Sequence, residues 1–227
     1  MTLEEVLAEL ESLGTEQNRK IYRRHGGTEP ILGVSFANLY SLRRRIKRDQ
    51  PLAVALWETR ISEAQFLATM IADPQAFSRK DLDRWASTAT SYAIADFVAK
   101  EIAVRTPFAM DAALKWIDAK SEVVGRAGWA TVGCLAISGG APDDFFLSLL
   151  PRLERDIHTA PNRIRESMNS AVISIGSRNE VLRVAATEAA RRIGKVYIDH
   201  GETYCKTPDA VTYIEKTFAR KAARAGV

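Results

Sequence analysis

The stretch Thr2-Leu3-Glu4-Glu5-Val6-Leu7-Ala8-Glu9-Leu10-Glu11-Ser12-Leu13 sets the pattern by which the whole chain is read. Leu3, Val6, Leu7, Leu10 and Leu13 recur at the i, i+3, i+4, i+7 spacing that lines one face of a helix. Thr2, with Glu5 three residues later, has the reciprocal pairing of a capping box. Residues 15–24 read as a second short helix that stops at His25-Gly26-Gly27, and a loop follows to Gly33.

The same signals continue along the chain. Ser35 with Asn38 opens a segment whose apolar positions are Phe36, Leu39, Tyr40 and Ile46. Pro51 stands at the first turn of a helix predicted over residues 52–71, Ser78 precedes one over 80–86, and another runs over 90–104. Thr106-Pro107, Ala141-Pro142 and Thr207-Pro208 put proline at helix starts, where its missing N–H leaves nothing unpaired. Helices over 122–137, 162–175 and 180–193 bring the total to about eleven, joined by links of about two to six residues. Only residues 195–199 alternate as a strand would, and weakly. Antiparallel helix pairs at spacings of roughly 35–45 residues predict an all-α solenoid of HEAT or armadillo type, because the helices are too many for one four-helix core. A single domain over 1–227 is expected, with 194–227 as a loop and C-terminal helix.

Composition narrows the function classes. Of 227 residues, 32 are Lys or Arg and 28 Asp or Glu, a net charge of +4 that permits nucleic-acid binding without requiring it. Hydrophobic residues at 46% and charged ones at 26% describe a globular chain, and 13 glycines with 8 prolines exclude a collagen-like one. Cys134 and Cys205 build no disulfide framework, and His25, His158 and His200 stand far apart, so neither a metal nor another cofactor is expected. The acidic opening Thr2-Leu3-Glu4-Glu5 is unlike a secretory leader, and the uncharged stretch 127–142 is shorter than the roughly 20 residues of a membrane span. The expectation is a soluble cytoplasmic protein without membrane association, nucleoid-associated in a bacterium, and a monomer.

Several residues carry chemistry. Arg43-Arg44-Arg45-Ile46-Lys47-Arg48 spreads cations over more than half of a helix circumference; they either neutralise phosphates or offset a helix C-terminus. Arg23-Arg24, Arg191-Arg192-Lys195 and Arg220-Lys221-Arg224 are smaller patches, more simply solvated. Tyr92 and Asp96 share a helix face at i, i+4, leaving a carboxylate among small apolar residues that must be paired or lie in a cleft. In Glu122-Val123-Val124-Gly125-Arg126-Ala127-Gly128-Trp129, Glu122 and Arg126 are spaced to pair, and Arg126 with Trp129 offers a guanidinium and an indole either to a nucleic acid or to the core. In the segment 164–170, which contains Arg165, Asn169 and Ser170 interrupt an apolar stripe, and His200–Pro208 is a compact polar loop containing Cys205.

Over residues 21–193 the chain resembles the AlkD-like DNA alkylation repair family, HEAT-like repeat DNA glycosylases that wrap duplex DNA in a basic concave surface. Leu56-Trp57-Glu58-Thr59-Arg60, followed by Glu63 and Ala68, is similar to one family pattern. Tyr92 and Asp96 match the spacing of an aromatic and the catalytic aspartate, with tyrosine in place of tryptophan. Arg126 falls on the family's functional arginine, and Ser170 takes the place of a tryptophan that helps form its aromatic cleft.

The resemblance implies a partner, duplex DNA, contacted by Arg43, Arg44, Arg45, Lys47, Arg48, Trp129 and Arg165. It also implies hydrolysis of the N-glycosidic bond of cationic purines such as 3-methyladenine or 7-methylguanine. Asp96 would stabilise the sugar cation, Tyr92 would pack beside the deoxyribose, and Arg126 would hold a phosphate. A carboxylate about 4 Å from that cation contributes roughly 4 kcal/mol at an effective dielectric near 20, about a thousandfold in rate. No metal or general acid is needed, since the alkylated base is already a good leaving group. The alternatives are a non-catalytic DNA-binding member of the family and a protein-binding α-solenoid scaffold.

Overall fold

The computed structural model describes residues 1–225; the side chains of Lys221 and Arg224, within the C-terminal basic patch, lie outside the described residues. Thirteen α-helices and no strand are present among the described residues. Packing groups the chain into two compact units, Met1–Phe108 with His200–Tyr204, and Ala109–Asp199 with the chain from Cys205 onward.

The first unit contains α1 (Leu3–Leu13), α2 (Glu16–Arg24), α3 (Phe36–Ile46), α4 (Gln50–Glu58), α5 (Ser62–Ile71), α6 (Arg79–Thr88) and α7 (Tyr92–Phe97). The expected caps form: Thr2 and Glu5 make a capping box on α1, and the Ser35 side chain accepts from the Asn38 N–H to open α3. Every residue of α5 is buried, and α3, α4 and α7 all pack against it. Trp57 of α4 stacks on Trp85 of α6 with ring centroids 4.1 Å apart and donates its Nε1–H to Thr88 Oγ1 at 2.9 Å, so both indole functions are used.

Two predicted helices are corrected. Residues 52–71 form α4 and α5 rather than one helix, because Arg60 adopts φ 62°. The Thr59 hydroxyl donates to Leu56 O at 2.7 Å and accepts from the Ile61 N–H at 3.3 Å, which stabilises the break. Residues 90–104 likewise divide into α7, a π-helical turn over Val98–Ile102 and a 3-10 turn over Ala103–Arg105.

One buried carboxylate fixes the entry to α3. Glu63, on α5 and 0% exposed, accepts the backbone N–H groups of Leu32 at 2.9 Å, Gly33 at 2.6 Å and Val34 at 3.3 Å. From the other side α2 takes the carbonyls of the same segment: Arg19 Nε donates to Leu32 O at 3.0 Å, Asn18 to Gly33 O at 3.0 Å and the Tyr22 hydroxyl to Val34 O at 2.5 Å. Burial and the neighbouring Glu63 charge push the Tyr22 phenol up to about 12, so it remains a donor at neutral pH.

The second unit contains α8 (Ala109–Ile117), α9 (Glu122–Ser138), α10 (Asp143–Asp156), α11 (Asn162–Gly176), α12 (Glu180–Ile193) and α13 (Ala210–Ala225). Alternate helices stack, α9 on α11 on α13 and α10 on α12, the arrangement of a repeat array. Gly128 permits a close backbone approach, since a Cβ there would lie 2.6 Å from the Ile117 nitrogen of α8. Residues 195–199 form no strand; Asn162 instead pins them by exchanging hydrogen bonds with the Asp199 backbone at 2.7 and 2.8 Å. The cap of α13 is Asp209, directly after Pro208, accepting from the Thr212 N–H at 2.8 Å.

Replacing Glu63 by alanine would strand two buried donors and a half-buried one, each buried donor worth about 1–3 kcal/mol. Glu63→Ala is therefore expected to lower unfolding stability by more than about 3 kcal/mol, read from urea denaturation of both proteins.

Candidate nucleic-acid interface

The cationic tract lies on the last turns of α3 and just beyond it. The α3 backbone runs through Leu39 and Leu42, 0% and 1% exposed, which leaves its opposite side outward. Arg45 pairs with Glu9, and Arg48 reaches Asp73 at 3.1 Å. Arg44 and Lys47 are exposed and have no carboxylate partner among the described residues. Lys47 closes the helix at φ 65°, a conformation that costs a non-glycine residue about 1 kcal/mol or more and turns the chain sharply there.

Below this tract sits a glutamate that sequence reasoning missed. Glu101, on the π-helical turn and 5% exposed, lies 3.2 Å from Arg105, 3.6 Å from Lys100 and 3.9 Å from Arg43. Arg43, Lys47, Arg48 and Arg105 line a cavity of about 240 Å3 whose only lining carboxylate is Glu101. The cations there outnumber the acids, and that excess can take phosphate oxygens. A lone Lys100-Glu101 pair gives no signal in the sequence, since its value comes from the arginines that the fold gathers around it.

Tyr92 and Asp96 occupy one half-buried face of α7, while Ile94 and Ala95 face the core at 0% exposure. Ser91 caps the helix by accepting the Ile94 N–H at 3.4 Å, and the Tyr92 hydroxyl donates to the His25 carbonyl. One residue beyond Asp96, α7 ends and the π-helical turn begins, a feature that recurs at functional sites.

In the second unit three expected DNA contacts have internal roles. Arg126 is 8% exposed; its guanidinium donates to Glu166 at 2.6 Å and to the Arg163 carbonyl at 3.2 Å. Glu122 does not pair with it and accepts the Arg163 N–H instead, at 2.6 Å. Trp129 is corrected outright: at 1% exposure it is a core residue, so its indole has no face to offer a base. Arg165 donates to the carbonyls of Tyr197 at 2.9 Å and Ala160 at 2.8 Å, clasping the 195–199 segment to α11. Ser170, where the resemblance places a cleft tryptophan, is exposed, and its hydroxyl donates to Glu166 O at 3.0 Å.

The remaining candidates are plainer. Arg23 pairs with Glu29 at 2.8 Å, and Arg192 with Glu154 at 2.7 Å. The loop from His200 to Pro208 carries Tyr204 at 99% exposure and an exposed Cys205. No helix among the described residues is long and apolar enough to cross a membrane.

Comparison with known proteins covers nearly the whole chain. The family described as DNA alkylation repair enzyme matches residues 6–214. The uncharacterized proteins Lin0241 of Listeria innocua and Lmo0209 of Listeria monocytogenes are each 28% identical over 221 residues, covering 95% of this chain and 97% of theirs. A solved structure described as "a new family of proteins related to the HEAT-like repeat DNA glycosylases with affinity for branched DNA structures" superposes with a TM-score of 0.88. It shares 30% identity, with 97% of this chain and 95% of that one covered. The all-helical array is thus a HEAT-like repeat fold.

The Arg126–Glu166 pair generates a pH prediction. Burial resists ionisation of Glu166, but the Arg126 charge and hydrogen bonds from Arg126 and Arg163 outweigh it and hold the carboxyl below its ordinary value. Its contribution is therefore complete above about pH 4.3, the unfolded value, and is lost as the pH falls through the lower folded one. Glu166→Gln is expected to lower stability at pH 7 by about 2 kcal/mol, because it removes the negative charge that faces a largely buried guanidinium. Thermal unfolding between pH 7 and pH 3 checks this: the variant should lose less stability on acidification than the wild type.

Proposed function

Since this chain belongs to the DNA alkylation repair enzyme family, we propose that it is a DNA-binding member that recognises branched or distorted DNA without releasing bases from it. The binding half rests on the cations at the end of α3, where Arg44 and Lys47 stand exposed without acidic partners and Arg43 overhangs the cavity above Glu101. Such an array takes up phosphate charge by releasing counterions, which favours DNA of any sequence. The preference for branched DNA is the property described for the solved relative, 30% identical to this chain.

The observation that carries the absence of base release is the Arg126–Glu166 pair at 2.6 Å. In the glycosylase scheme this arginine holds a phosphate beside the reacting sugar. Here Glu166, which also accepts from Arg163, is paired with it, and a phosphate would have to displace that largely buried pair to reach it, at a penalty of several kcal/mol. Ser170 adds to the argument, since a hydroxymethyl group supplies no aromatic wall for a cationic sugar or base.

The second reading, hydrolysis at Asp96, is favoured by one observation: Tyr92 and Asp96 share the half-buried face of α7, as the family's chemistry requires. A single set of assays separates the two. Release of 3-methyladenine and 7-methylguanine from methylated duplex is expected to stay at the background rate, while DNA binding weakens steeply with salt. Arg44→Ala with Lys47→Ala should reduce the slope of log affinity against log salt by about 2. Base release by the wild type that disappears in Asp96→Asn would replace the binding reading with the hydrolytic one.

A further inference from the structure

On α3 the aromatic and the cationic residues form one stripe. At 100° per residue, positions 36, 40, 43 and 47 fall within about 60° of arc, and from Phe36 to Lys47 the axis rises about 16 Å. The aromatic end of the stripe is not sealed into the core. Tyr40 is 36% exposed and Phe36 half-buried, whereas Leu39 and Leu42 on the other side are fully covered.

Phe36 is held by rings on all sides. It stacks on Phe97 with centroids 5.6 Å apart and planes 22° from parallel, meets Phe66 edge-on at 5.0 Å, Tyr22 at 6.2 Å and Tyr40 at 6.3 Å. Well-packed interiors leave few voids, yet a cavity of about 220 Å3 remains beside these rings, walled by Tyr22, Phe36 and Phe66. Polar groups stand only on its border. The His25 ring is exposed, and Ser91, 6% exposed, accepts the Ile94 N–H and keeps its own proton for a ligand acceptor. The volume is below the roughly 300–1,000 Å3 of a drug-sized site and suits one flat heterocycle.

We propose that this stripe is a docking surface for unpaired DNA, in which one extruded base enters the cavity beside Phe36 while Arg43 and Lys47 take the phosphates that follow. The inference rests on the DNA-binding reading and deepens it by naming what is recognised: an unstacked base at a branch or lesion, not the paired duplex. Base and cavity match in chemistry. The faces of a base stack on aromatic rings whatever the sequence, and its polar edge finds Ser91 and His25. The rings are already locked against one another, so binding orders little that is mobile. Charge selects the occupant, because an apolar peptide side chain would fill the cavity but leave the charge of Lys47 and the cationic excess around Glu101 unneutralised, whereas a nucleotide chain satisfies both ends of the helix.

The test uses the full chain and three fluorescent DNAs: a fully paired duplex, the same duplex with an unpaired nucleotide, and the single strand. A 2-aminopurine at the unpaired position reports stacking. Wild type is expected to prefer the unpaired DNAs and to quench the 2-aminopurine. Tyr40→Ala, at an exposed position, should weaken binding to the unpaired DNAs by about tenfold or more and leave the paired duplex unchanged. Ala93→Leu, which fills the cavity while keeping every ring, should abolish the quenching; melting curves confirm that both variants fold. Equal affinity for paired and unpaired DNA, or quenching that survives Ala93→Leu, overturns this inference and leaves the DNA-binding reading standing. Failure to bind any of the three DNAs overturns both.

Discussion

Three backbone N–H groups converging on the Glu63 carboxylate are the constraint on which the first unit depends. The segment Leu32–Val34 enters α3 at a buried position, where every amide and carbonyl needs a partner. Glu63 supplies the acceptors from α5, and Arg19, Asn18 and Tyr22 supply the donors from α2. The segment is therefore clamped between two helices with both of its polar edges satisfied. The direction in which α3 leaves it follows, and so does the side on which Phe36, Tyr40, Arg43 and Lys47 emerge. A water molecule in place of Glu63 could not meet three donors at once, which is why so costly a residue sits fully buried.

Much of this fold is legible in the sequence because helices announce themselves locally. The capping box at Thr2 and Glu5, the Ser35 cap and the prolines at helix starts all depend on neighbours a few residues away. What misleads is continuity. Apolar periodicity runs straight through residues 52–71, and nothing in the letters marks Arg60 as left-handed; the hydroxyl of Thr59 and the carbonyl of Thr88 decide that. Site residues are less legible still. Glu63 stands in a family-like pattern but its work is visible only in three dimensions, and Trp129 and Arg126 have the right spacing yet are 1% and 8% exposed.

Arg126 and Glu101 illustrate how one chemistry can have opposite uses. Arg126 meets a carboxylate at 2.6 Å and a carbonyl at 3.2 Å in a nearly closed environment, so its charge is consumed within the protein. Glu101 is equally buried but is outnumbered by Arg43, Lys100 and Arg105, so the cluster as a whole stays cationic. Arg163 shares Glu166, so cations are in excess there too; what differs is their exposure, 10% for the Arg126 side chain against 38% for Arg43 and 45% for Arg105.

The π-helical turn over Val98–Ile102 has a consequence for how this chain has been able to change. Such a turn accommodates one residue more than the α-helix it interrupts, without disturbing the elements on either side. An inserted residue that no such turn absorbed would instead rotate everything downstream by about 100° relative to α7. Glu101 and Arg105 would then swing out of register with Asp96, and the cationic cluster would disperse though every one of its residues was retained. The inheritance of this surface is therefore a matter of chain length as much as of residue identity: an insertion that the turn did not absorb would erase in one event what many substitutions would be needed to remove.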